Sequence, residues 1–74
     1  MSQVDEVLTL LLDGKWHSIP IIAGILGIKE DKLRRMLQLL EEFNFIESEN
    51  EKIRISPETK KFIQSVQQLL YNVL

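Results

Sequence analysis

Gly27 separates two short apolar-patterned segments, and no other feature limits the fold of this chain as much. Before it stand Ile22 and Leu26, and after it Ile28, Leu33 and Met36, at the places where two short helices crossing steeply must touch. Ala23 is small where the second helix passes close to the first, and Gly27 supplies the positive backbone angle that such a turn needs. The first helix is expected from about Ile19 to Gly27, with Ser18 accepting from its free amides and Pro20 in its first turn. The second runs from about Glu30 to Phe43 with Leu33, Met36, Leu37 and Leu40 inward, and Asn44 is suited to the left-handed cap that stops it.

The rest of the chain frames this pair. Val4, Val7, Leu8 and Leu11 recur at helical spacing, Asp5 and Glu6 oppose the dipole of the first turn, and Gly14 ends the helix. Leu10 and Leu12 widen its apolar arc to roughly 200°, which predicts a central position. Phe45 and Ile46, a polar stretch, and then Ile53, Arg54 and Ile55 in alternation read as a two-stranded hairpin turning near Glu49–Asn50. Ser56, Pro57 and Glu58 form a compact helix start, and a last helix covers 57–74. The expectation is one domain over 1–74, mainly α with a small β-hairpin, since 74 residues leave no room for a second.

Composition removes several classes of function. Without cysteine there is neither a disulfide staple nor a thiolate zinc site. The longest nearly apolar run, Ile19 to Ile28, is broken by Pro20, Gly24 and Gly27 and falls short of the about 20 residues that span a membrane. No secretion signal precedes it, so a cytoplasmic protein is expected. His17 is the single histidine, and no nucleophile, base and orienting group are patterned together, so neither an enzyme nor a metal or cofactor site is expected. Trp16 and His17 are read as packing at the start of the Ile19–Gly27 helix, beneath the hairpin.

Ala23, Gly27 four residues on, and apolar Ile28 and Leu33 carry a resemblance to the helix-turn-helix family. Three helices followed by a hairpin and a further helix resemble its winged subclass, common among small archaeal and bacterial transcriptional regulators, over residues 4–70. The resemblance implies a three-helix core plus wing, and a third helix that lies in the major groove of duplex DNA. Its outward residues here are Lys29, Glu30, Asp31, Lys32, Arg34, Arg35 and Gln38. Arg34 and Arg35 would be the main contacts to guanine edges or phosphates, with Lys29, Lys32 and Gln38 secondary and Arg54 on the hairpin's return strand.

Charge along the chain is segregated: −2 over 1–28, +2 over 29–40, −5 over 41–51 and +3 over 52–74. A nucleic-acid surface is therefore a local patch, and the acids Glu47, Glu49 and Glu51 at the wing tip would be repelled by phosphate. Carboxylates that tied up the arginines would leave a second reading, a protein-interaction module in a larger assembly without DNA contact.

Two helices carry more apolar surface than one small domain uses. Ile21 and Ile25, one turn apart, face away from the inward set of the Ile19–Gly27 helix and would form a patch for a protein partner. In the last helix Phe62, Val66, Leu69 and Val73 make one stripe, Ile63, Leu70 and Leu74 a second, and no charge follows Lys61. The first stripe is assigned to the domain's own core and the second to a subunit contact. A two-fold homodimer through Phe62, Ile63, Val66, Leu69, Leu70 and Val73, with Tyr71 interfacial, is the expectation, placing two half-sites about 34 Å apart.

Overall fold

The computed structural model describes residues 3–73. In chain order it runs α1 (Gln3–Leu10), a single 3-10 turn (Leu11–Asp13), β1 (His17–Ser18), α2 (Ile19–Leu26), α3 (Glu30–Glu42), β2 (Ile46–Glu49), β3 (Lys52–Ile55) and α4 (Pro57–Val73). The sheet is antiparallel with order β1-β3-β2, so the expected two-stranded hairpin has gained a third strand.

Val7 and Leu11 are fully buried with Ile22, Leu33 and Ile53, which puts α1 at the centre as its wide apolar arc requires. Its last turn tightens, and Gly14 at φ 75° closes it by donating its N–H to the Leu11 carbonyl at 3.1 Å. Gly27, at φ 65°, caps α2, and the Ile28 N–H reaches back to the Ala23 carbonyl at 3.0 Å. That bond turns the chain sharply enough for α3 to begin at Glu30. Asn44, at φ 60°, ends α3 with a paired cap in which its N–H donates to Glu41 and that of Phe45 to Leu40, both at 3.0 Å.

Four local expectations are corrected. Ser18 makes no side-chain cap to α2; it lies in β1 opposite Lys52, and the Ile19 amide donates instead to the Glu51 carbonyl at 3.0 Å. The hairpin turns at Asn50–Glu51, one residue later than predicted, with both residues at positive φ as a two-residue turn of this hand demands. His17 is part of the sheet, opposite Ile53, and is not loop packing beneath it. The assignment of the first α4 stripe to the domain's own core does not hold. Ile63 packs against the core, while Phe62 of the supposed core stripe is 68% exposed.

The start of α4 explains why Ile63 is the residue that turns inward. Ser56 is buried, accepts from the Thr59 amide at 3.2 Å and donates to the Thr59 hydroxyl at 2.8 Å. The Thr59 hydroxyl in turn donates to the Asn44 carbonyl at 3.4 Å, so the face carrying Thr59, and Ile63 four residues on, meets the body. From Gln64 to Val73 every residue is exposed. Leu74, assigned to the second stripe, lies outside the described residues.

Candidate functional site

Because Leu33, Leu37 and Leu40 hold the inner face of α3, Lys32, Arg35 and Gln38 are turned to solvent. Lys29 stands at the N-cap of α3, where a hydroxyl or carboxylate would serve the helix better, and makes no side-chain cap. Glu30 and Asp31 in the first turn offset it. Among the described residues, Lys29, Lys32 and Arg35 enter no ion pair.

Arg34 is placed differently. Its Nη2 donates to Glu30 Oε1 at 2.9 Å, one turn back on the same helix, and to Glu51 Oε2 at the hairpin tip. These two carboxylates, Glu51 first, raise its pKa above the ordinary guanidinium value. Arg34 and Arg35, paired in the sequence as contacts, are thus divided into one guanidinium occupied by the protein and one that is open.

Arg54 is also occupied. It faces Glu47 across the β2–β3 ladder and donates from Nε to Glu47 Oε1 at 2.8 Å. Its guanidinium carbon lies 4.5 Å from the centre of the Trp16 ring. Two of the three wing acids, Glu47 and Glu51, therefore neutralise arginines of this chain, and only Glu49 of the three has no ion pair among the described residues. A further bond, Ser48 Oγ to Glu41 Oε1 at 3.0 Å, ties β2 to α3. Beside it Ile19, Arg34, Leu37 and Gln38 line a shallow groove of about 170 Å³ between α3 and the hairpin.

Ile21 and Ile25 are 62% and 64% exposed, as their position outside the inward set of α2 requires. A second apolar patch went unread in the sequence: Leu39, Phe43 and Phe45 are exposed, and the two rings stack at 6.0 Å and 27°. Its signal was available, since Leu39 and Phe43 are one turn apart on the flank of the Leu33, Leu37, Leu40 stripe. On α4, Phe62, Val66, Leu69, Leu70, Tyr71 and Val73 are exposed and Ile63 is half-buried.

His17 Nε2 lies 2.9 Å and 3.1 Å from the two carboxylate oxygens of Asp13. Among the described residues no three His, Asp or Glu side chains converge where a metal ion would sit, and no helix is long and apolar enough to cross a membrane. Comparison of the chain with protein-family models, curated proteins and solved structures returns no match.

Proposed function

We propose that this chain is a winged helix-turn-helix protein that binds duplex DNA as a homodimer, with α3 in the major groove and α4 joining the protomers, and that it regulates transcription. The observation that carries this reading is the open cationic set Lys29, Lys32 and Arg35 on the outer face of α3, with Gln38 one turn beyond Arg34. The α2–Gly27–α3 geometry, with the hairpin alongside, supports the same reading. Because Arg34 and Arg54 are engaged by carboxylates, the main contacts shift to Arg35 and Lys32, with Lys29 on phosphate. Exposed ion pairs are worth little, so phosphate competes for Arg34 on nearly even terms.

The test is binding to random duplex DNA across a salt series. Affinity falling steeply with salt, and abolished by Lys32→Glu with Arg35→Glu while circular dichroism is unchanged, is the expected result. Absence of binding by the wild type at low salt overturns it. The protein-interaction reading is favoured by one observation, the exposed Ile21 and Ile25 beside a hairpin whose acids hold Arg34 and Arg54. It predicts no binding in that series.

A further inference from the structure

We propose that the outer face of the sheet holds an unpaired guanine base, stacked on Trp16 and read along its pairing edge by Glu49 and Lys52. The site is separate from α3 and stands independently of the duplex-binding reading.

Strand alternation creates it. Ile53 and Ile55 of β3 are buried, so Lys52 and Arg54, which alternate with them, face away from the core. Lys52 stands opposite Glu49 on β2 and Ser18 on β1, and Arg54 stands opposite Glu47 with the Trp16 ring against it. Asn50 and Glu51 close the hairpin in a two-residue turn, so Glu49 and Lys52 form the last pair before the tip in a fixed register. Trp16, Glu49, Asn50 and Lys52 together line an open depression of about 220 Å³, room for one planar base.

The ring is held ready for stacking. Glu47 holds Arg54 at 2.8 Å, and the Arg54 guanidinium lies 4.5 Å over the ring centre, so one face of the indole is taken and its orientation fixed. Trp16 is nonetheless 37% exposed, and a stacking ligand takes the face that Arg54 leaves. A second cation at this ring would be repelled by Arg54 and Lys52, whereas a neutral aromatic ring is not.

The groups at the edge decide which ring. Glu49 and Lys52 stand opposite each other, yet neither enters an ion pair among the described residues. A carboxylate only accepts and an ammonium only donates, so the matching ligand presents two donors beside an acceptor. Guanine does so, with its ring N–H and exocyclic amino group for Glu49 and its carbonyl oxygen for Lys52. Adenine and cytosine set one amino group beside an acceptor, and thymine and uracil set one N–H between two acceptors. Inside a duplex this edge is occupied by cytosine, so the site takes guanine from a free nucleotide or a single strand.

Trp16 is the single tryptophan, so its fluorescence reports the site in the full chain without a label. Guanosine monophosphate is expected to quench it along a saturable curve, with adenosine, cytidine and uridine monophosphates about tenfold or more weaker. Glu49→Gln replaces one acceptor oxygen by a donor amide on an exposed side chain, so it should erase the preference for guanine while circular dichroism is unchanged. A single-stranded thymidine oligomer carrying one guanine is the second probe. Tighter binding than the free nucleotide assigns the site to a strand, and equal binding assigns it to the base alone. Four nucleotides that quench alike, a Glu49→Gln variant as selective as the wild type, or no quenching by either probe at millimolar concentration overturns the site. Guanine-selective quenching in a chain that binds no duplex DNA overturns only the duplex reading.

Discussion

Arg34 and Glu51, 17 positions apart, join α3 to the tip of the hairpin. Glu51 adopts φ 66° at the second position of a two-residue turn, where glycine is the usual occupant. Its carboxylate takes the Arg34 guanidinium and its carbonyl takes the Ile19 amide, so one residue in a costly backbone conformation holds the starts of both α2 and α3.

Glu51→Gly separates the two roles. It relieves the backbone strain, keeps the carbonyl and leaves Arg34 with Glu30 as its single carboxylate partner. Thermal stability is expected to hold or rise by a few degrees, and affinity for duplex DNA at low salt to increase several-fold. Unchanged DNA affinity in a folded variant would refute the idea that Glu51 competes with phosphate for Arg34.

Gly14 and Gly27 are both left-handed, and alanine at either is expected to cost about 1–2 kcal/mol. At Gly27 nothing lies within 4 Å of an added Cβ, so the cost is backbone alone. At Gly14 the Cβ would come within 2.6 Å of Lys60 Nζ, the mobile end of a long side chain that otherwise donates to the Asp13 carbonyl at 3.5 Å. Lys60 gives way, and the two variants should melt within a few degrees of each other. A Gly14→Ala variant far less stable than Gly27→Ala would show that Lys60 is held more firmly than its single long bond implies.

Acid unfolding has a contribution from Asp13. The hydrogen bond from His17, and then that from the Lys15 amide at 2.8 Å, lower its carboxyl below the ordinary value of 3.8. The folded state thus binds fewer protons than the unfolded one around this value. The resulting stability is present above about pH 4 and lost as pH falls through the folded pKa. Asp13→Asn keeps an acceptor for Lys15 but cannot be protonated, so its urea midpoint should fall less than that of the wild type between about pH 4.5 and 2.5. The difference is small because the pair is exposed. Parallel acid limbs in the two proteins are the contrary result.

Leu33 is fully buried where α3 crosses α2, and Leu33→Ala should cost about 2–5 kcal/mol. Changing Ile21 and Ile25 to serine together should shift stability by less than about 1 kcal/mol, since neither is covered in a single chain. Thermal or urea unfolding at low protein concentration checks both. A large loss from the serine pair would mean that another segment of the chain packs over α2.

The elements with a strong local signature were legible in the sequence: the glycine that caps α2, the asparagine that caps α3, and the serine and proline that open α4 each act over a few residues. β1 was not, because two residues carry no alternation; only Ile53 and Lys52, far along the chain, make a strand of His17 and Ser18. Trp16, expected beneath the hairpin, lies against it, its ring centre 4.5 Å from the Arg54 guanidinium carbon, although no local pattern names that partner. The outward face of α3 follows from its period, but the removal of Arg34 from it depends on where the hairpin tip lands, which no local pattern encodes. On α4 the period identified the apolar arc but not which edge meets the body. That choice is made at the start of the helix, where the Ser56 amide bonds the Phe45 carbonyl at 2.9 Å and the Thr59 hydroxyl the Asn44 carbonyl at 3.4 Å.

Since α4 adds nothing to the interior beyond Ile63, the head domain closes without the last turns of its own helix. Under the proposed dimer, folding and assembly are separate transitions, and dilution would release intact protomers without melting them. On the proposed DNA-binding reading, occupancy of paired half-sites would then rise with the square of the amount of chain, making abundance itself the control variable.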